Sequence, residues 1–264
     1  MGFFSRNLRR LTVCVCSAGF ATAFTFGCLD VTKQAGDTDC KKWDYNWDKR
    51  DHHSRKKPKE KGEDCEFSTA CRHILLIRHG QYNMGSKKEI ERKLTPLGRE
   101  QCEKLGQRLQ ELGYPYERIV VSTLTRARET AFIVSKHLPG VQVESCQFIH
   151  EGAPIQPEPP ISRWKPPPNL FYEDGARIEA AFRKHFFRAD PSQKKDSYEI
   201  FICHANVIRY FICRALQLRP EAWLRFSLHH CSITWLCIKP SGRVICHGIG
   251  DSGFLPSNML TSNT

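Results

Sequence analysis

His73-Ile74-Leu75-Leu76-Ile77-Arg78-His79-Gly80 is an apolar run that ends in a cation, an imidazole and a glycine. An unbroken apolar run of this length reads as a buried strand. Its carboxyl end delivers Arg78 and His79, and ligands bind open α/β sheets at the carboxyl ends of strands. The pattern returns downstream in Glu199-Ile200-Phe201-Ile202-Cys203, which runs into His204. Two strands that each hand a histidine to one rim point beyond packing. Imidazoles and arginines together suit phosphoryl transfer through a phosphorylated histidine.

The rest of the folded region alternates in type. Thr95-Pro96-Leu97 starts a helix, threonine as its cap and proline in its first turn. Leu97, Leu105, Leu109 and Leu112 continue it, and Gly113 stops it. Residues 118–122 read as a second buried strand, followed by a helix from Thr125 that ends before Pro139-Gly140. Residues 151–168 are proline-rich and read as loop or lid. Residues 174–188 form a helix, the strand 199–203 feeds a helix over 206–217, and 232–239 with 243–247 make a closing hairpin. Strands alternating with helices predict an α/β fold, a three-layer sandwich around a mostly parallel central sheet.

Composition limits the function classes. The chain has 264 residues and a formal net charge of +12. That charge admits nucleic acid, anionic membrane or phosphorylated partners. Much of it lies in residues 33–61, interleaved with acids, with no aromatic-spaced basic stripe, so nucleic-acid binding is not expected. The 13 cysteines are odd in number and irregularly spaced. No Cys-x-x-Cys pair and no His-Glu-x-x-His exist, so no metal site is assigned. Reduced thiols fit better than a disulfide framework. Gly248-Ile249-Gly250-Asp251-Ser252-Gly253 satisfies G-x-G-x-x-G but opens no helix, so a dinucleotide site is rejected. His52-His53 and His229-His230 lack the spacing for a shared metal and read as surface or loop features.

Four segments follow: 1–30 as membrane anchor or targeting segment, 31–71 as charged linker, 72–256 as catalytic domain and 257–264 as tail. Residues 11–29 carry no charge and approach the length of a membrane helix. A membrane anchor is preferred there over a cleaved signal ending near Ala21-Thr22-Ala23 and over a buried helix. The linker contains Trp43-Asp44-Tyr45-Asn46-Trp47-Asp48. Tryptophans amid solvated charge suggest a docking peptide, because aromatics dominate interface energetics. The alternative is that they fold back onto their own domain.

The chemistry can be assigned by residue. His79 serves as nucleophile. Arg126, where strand turns to helix, can face an anion together with helix amides. His204 can donate to a phosphoryl oxygen. Glu151, before Gly152-Ala153-Pro154, can protonate the leaving oxygen and then activate water; a solvent-exposed loop acid is the competing reading.

These residues resemble the histidine phosphatase superfamily, also called the phosphoglycerate mutase family. The likeness rests on Arg78-His79-Gly80, Leu94-Thr95-Pro96-Leu97-Gly98, Arg126-Ala127-Arg128-Glu129-Thr130, Glu151 and His204, and spans residues 72–253. Segments 151–155, 172–182 and 197–210 are similar to its mitochondrial serine/threonine phosphatase branch. That branch also has an N-terminal membrane segment and a Trp-Asp-x-Asn-Trp-Asp peptide. The resemblance implies a phosphoprotein phosphatase that needs no cofactor, with His79 as phosphohistidine nucleophile, Arg78, Arg126 and His204 as phosphate ligands, and Glu151 as proton donor. It implies anchoring in the mitochondrial outer membrane through residues 11–29 and homo-oligomers assembled through Trp43, Asp44, Asn46, Trp47 and Asp48. Phosphorylated stress-signalling kinases are the implied substrates. Two alternatives stand beside it: a membrane-tethered assembly scaffold, and a small-molecule phosphatase or mutase. The short stretch between Arg126 and Glu151 leaves little for a closing cap, which favours hydrolysis over a mutase.

Overall fold

A computed structural model describes residues 42–50, 68–162 and 164–262. The expected anchor at 11–29 and the basic run at 55–61 lie outside the described residues. Among the described residues, no helix is long and apolar enough to cross a membrane.

The opening stretch forms strand β1 (Arg72–Arg78), with all seven residues buried. The other elements follow in order: α1 (Pro96–Leu112), β2 (Tyr116–Ser122), α2 (Thr125–Ser135), β3 (Gln142–Cys146), α3 (Pro168–His185), β4 (Ser197–Cys203), α4 (Ala205–Ala215), β5 (Ile233–Ile238) and β6 (Val244–Asp251). The sheet runs β3-β2-β4-β1-β5-β6. Its first four strands are mutually parallel, while β5 is antiparallel to β1 and to β6.

Strand alternation sorts the core into two faces. Ile74, Leu76, Val120 and Phe201 point toward α3 and α4, packing with Ile178, Phe182, Val207 and Phe211. Leu75, Ile77, Ile119, Val121, Ile200 and Ile202 point toward α1 and α2, packing with Leu105, Leu109, Ala127 and Val134. This is the expected three-layer α/β sandwich. Burying each such aliphatic side chain stabilises the fold by about 2 kcal/mol.

Helix boundaries obey local chemistry. Thr95 accepts a hydrogen bond from Gly98 N at 2.9 Å, and Gly113 ends α1 at φ 63°. The third helix begins at Pro168, six residues before its expected start, with proline in the first turn. Strand β3 was not anticipated. Its first four residues are exposed, so as an edge strand it shows no apolar run, and pairing with β2 alone fixes it.

The tryptophan hexapeptide lies on its own domain. Trp43 and Trp47 pack against the α3/α4-side core. The Trp47 Nε1–H donates to Gly242 O at 2.7 Å. Asp48 accepts from Arg188 N, Nε and Nη2 at 2.8, 2.9 and 2.8 Å. Burial of the Asp48 carboxyl opposes ionisation, but the Arg188 hydrogen bonds outweigh it and hold the pKa below the usual range. Asp44 and Gln217 exchange two hydrogen bonds, each 2.8 Å. Folding back, the alternative reading of this peptide, is the arrangement in a single chain.

Candidate active site

Sheet register builds the site. Strand β1 pairs with β4 so that Arg78 lies beside Cys203. The next residues, His79 and His204, therefore leave the sheet side by side, and His79 N–H donates to Cys203 O at 3.1 Å. Their rings lie 5.1 Å apart between centroids. Both are buried, at 2% and 0% exposure. Burial first, then neighbouring charges including Arg126 and Arg78, pushes both imidazole pKa values well below 6.5. Both rings are therefore neutral at neutral pH, as a nitrogen nucleophile requires.

A backbone carbonyl fixes the tautomer of His79. His79 Nδ1 lies 2.8 Å from Gly80 O. A carbonyl can only accept, so Nδ1 carries the proton and Nε2 keeps its lone pair. Gly80 matters because there is no room for a side chain at its position. A Cβ there would meet Gly98 O at 2.7 Å and Cys102 Sγ at 2.8 Å. Helix α1 thus packs against the nucleophile's loop through the missing side chain. Thr130 Oγ1 accepts from Gly80 N at 3.1 Å and completes the support.

The cations converge from three elements. Arg78 ends β1, is 4% exposed, and donates through Nη1 to Leu228 O. Burial lowers its pKa to about 10, which leaves it charged at neutral pH. Arg126, in the first turn of α2, donates through Nε to His79 Nε2 at 3.2 Å. Its Nη1 lies 3.0 and 3.2 Å from the two oxygens of Glu89, and Glu89 Oε1 also accepts from Thr125 N at 3.1 Å. Glu89 therefore occupies the anion position at the start of α2. Reading by spacing missed it, because it sits on a single 3-10 turn with no motif around it.

Glu151 completes the set. Its Oε1 accepts from Gly152 N at 3.2 Å and from Asn206 N, in the first turn of α4, at 3.3 Å. Desolvation raises its pKa above 4.5, against the pull of Arg126, Arg78 and Arg209. A raised carboxyl pKa suits an acid that gives up its proton near neutrality. Ser122, at the end of β2, contacts His204 Nε2 at 2.8 Å. Arg209, 6% exposed on α4, adds a further cation near Glu151.

All five sequence-assigned residues, Arg78, His79, Arg126, Glu151 and His204, thus meet at one end of the sheet. Arg78 Nε, His204 Nδ1, Arg209 Nε and His230 Nε2 are buried without a hydrogen-bond partner. Buried polar groups are nearly always paired, so such a group of orphans marks a place for an anion. Both His229 and His230 lie in the loop before β5, as expected, but His230 is not at the surface: it is 0% exposed. It lies in coil before β5, where no periodicity reports burial, and the C-terminal segment covers it through Thr261.

Elsewhere, ligand atoms of His73, Cys237 and His247 lie within 4.8 Å of one another. His73 is committed, however: Trp235 Nε1 donates to its Nδ1 at 3.1 Å, and its Nε2 faces Asp196 at 3.6 Å. That cluster also sits at the opposite end of β1 from His79. The eight described cysteines are all free.

The sequence matches the histidine phosphatase superfamily (branch 1) over residues 74–154 and 155–248. It is 55% identical over 230 residues to a rat protein named serine/threonine-protein phosphatase PGAM5, mitochondrial, covering 83% of this chain and 80% of the relative. The Xenopus laevis protein of the same name is 48% identical over 275 residues, covering 96% and 98%. Among solved structures, phosphoglycerate mutase from Plasmodium falciparum superposes with a TM-score of 0.51 at 32% identity, covering 74% of this chain and 98% of that one. Sheet order, the paired histidines and a match across most of the folded residues agree: the chain belongs to the histidine phosphatase superfamily.

Proposed function

We propose that the protein is a mitochondrial serine/threonine phosphoprotein phosphatase acting through a phosphohistidine. The observation that carries the chemistry is the neutral His79 with its Nε2 lone pair fixed among Arg78, Arg126 and His204. Its Nε2 attacks phosphorus as the bond to the leaving alcohol oxygen breaks, and the Glu151 carboxyl gives that oxygen its proton. Water then attacks the phosphohistidine, the N–P bond breaks, and Glu151 takes the water's proton. Arg78, Arg126 and His204 hold the phosphoryl oxygens. These two cations and the neutral imidazole belong to the chain itself, and the steps as written use no metal or cofactor.

The choice of phosphoprotein and of mitochondrion rests on the names of the relatives above. The competing small-molecule reading predicts a preference for compact phosphate esters. Comparing kcat/KM for a phosphothreonine peptide and for 3-phosphoglycerate decides between them. A ratio of at least tenfold toward the peptide is expected, and the reverse ratio would reject the protein-phosphatase reading.

The same proposal includes attachment to the outer membrane through residues 11–29, self-association through Trp43–Asp48, and phosphorylated kinases of stress signalling as substrates. Trp47 and Asp48 supply aromatic area and a buried charge pair, features of an interface anchor. In an assembly, the seat formed by Phe182, Arg188 and Gly242 would take this peptide from a second copy. The Trp47→Ala variant is expected to sediment at a lower mass than the parent chain. An unchanged mass would reject assembly through this peptide.

A further inference from the structure

Of the four orphaned atoms around the site, only His230 Nε2 belongs to a residue without a role above and away from the phosphate-binding helices. Its main chain is tied to the nucleophile's strand, because the next residue, Cys231, donates its N–H to Arg78 O at 3.0 Å. Its ring centroid lies 5.7 Å from that of His79 and 6.5 Å from that of Tyr82. Tyr82 in turn lies 5.1 Å from His79 and under the Arg126 guanidinium, 4.7 Å from its carbon. His230 is thus packed beside the His79 ring and Tyr82.

A chain of hydrogen bonds holds the ring in place. Gln81 N–H donates to Gln101 Oε1 at 2.9 Å, which orients the Gln101 amide. The Gln101 NH₂ then donates to Met259 O at 2.6 Å and to Thr261 Oγ1 at 2.9 Å. The Thr261 hydroxyl, accepting there, lies 2.8 Å from His230 Nδ1 and can donate to it. In that tautomer the single proton of the neutral ring sits on Nε2, and an anion at Nε2 selects it. Burial and the nearby Arg78 charge push the pKa of this imidazole down to about 3, so it stays neutral at neutral pH. A buried N–H donor with no acceptor is costly unless a ligand supplies one.

We propose that His230 Nε2–H is a further donor to the bound phosphoryl group, aimed by Thr261 and Gln101 as positioning residues. The inference rests on the phosphoryl-transfer reading and extends it to the C-terminal segment, which thereby becomes part of the site. A neutral donor beside Arg78 adds a directional contact to a tetrahedral oxyanion without adding like charge to the cations.

Two conservative variants separate this role from a structural one. The His230→Asn side chain keeps a polar atom near Thr261 but none at the pocket. The His230→Gln side chain keeps an N–H at the pocket. The probe is tungstate, a tetrahedral oxyanion, titrated calorimetrically into the full-length chain, alongside kcat/KM for a phosphothreonine peptide. Tungstate affinity is expected to fall about tenfold in His230→Ala and His230→Asn, as for loss of one hydrogen bond. In His230→Gln it should stay within about threefold of the parent, and Thr261→Val should lose part of it. Values of kcat/KM should follow the same order. Rescue by Asn instead of Gln, or affinity within twofold of the parent in His230→Ala, would overturn the proposal. A parent chain that binds no tungstate would reject the phosphoryl-transfer reading itself, before any variant is compared. Should His230→Ala fail to fold, the Asn and Gln pair still decides.

Discussion

The His79→Ala variant is expected to lose phosphate release from a phosphothreonine peptide by at least about 10³-fold, with its fold intact. In the proposed mechanism the covalent bond to phosphorus forms only at His79 Nε2, so removal of the ring deletes the first step rather than slowing it. Neither neighbour can replace it. In the proposed mechanism His204 serves as a donor to a phosphoryl oxygen, its Nε2 engaged with Ser122 Oγ, and His230 serves as a further donor. The second readout is the intermediate. The parent chain, quenched during turnover, should carry an acid-labile, base-stable phosphoryl group, and His79→Ala should carry none. A variant that still acquires the label would move the nucleophile elsewhere. Stability should change only modestly, because the His79 side chain makes two hydrogen bonds, to Gly80 O and from Arg126 Nε, and no aliphatic packing.

The second large effect is on Glu151. Glu151→Gln is expected to lower kcat/KM for phosphothreonine peptides by about 10²- to 10³-fold, the range of a general acid. The loss should be much smaller for p-nitrophenyl phosphate, whose leaving oxygen needs no proton. That substrate should instead show a burst, with phosphohistidine accumulating, because the same carboxylate later activates water. The pH profile has a definite sign. Glu151 works as acid only while protonated, and desolvation raises its pKa. Peptide turnover should therefore decline as pH rises through that raised value, and Glu151→Gln should lack this limb. His79 must be neutral to attack, and its pKa lies well below 6.5. The acidic limb should accordingly fall below the ordinary histidine range. Equal loss on both substrates would remove Glu151 from the acid role. Linkage adds a check: a carboxyl with a raised folded pKa costs stability as pH rises from about 4.3 through that value. The amide variant should melt no lower than the parent at neutral pH.

Much of the site was legible because its residues announce themselves locally. Arg78 and His79 end a buried apolar run, and His204 ends another. Arg126 follows a strand-to-helix turn. Glu151 opens a proline-rich loop. Each signal lies within a few residues of chain. The partners that tune these groups lie far away and carry no such mark. Glu89 reaches Arg126 across 37 positions. Ser122 reaches His204 across 82. The hexapeptide shows the same limit from the other side, since its two tryptophans look like an exposed interface until the distant seat at Phe182, Arg188 and Gly242 is in place.

By itself, the sequence determined the alternation of strands and helices, the two-faced burial of the sheet, and which residues, Arg78, His79, Arg126, Glu151 and His204, gather at one end of it. Short-range rules govern these: hydrophobic period, caps and turns, and the chemistry of side chains at strand ends. Only the tertiary structure decided which nitrogen of His79 carries the proton, that the edge strand β3 exists, and that His230 is enclosed rather than exposed. Those outcomes depend on register and on which remote segment covers a group, as Thr261 covers His230 and Cys203 places His204 beside His79. A chain read residue by residue contains the donors and acceptors, but burial and pairing between distant positions exist only once the sheet has closed.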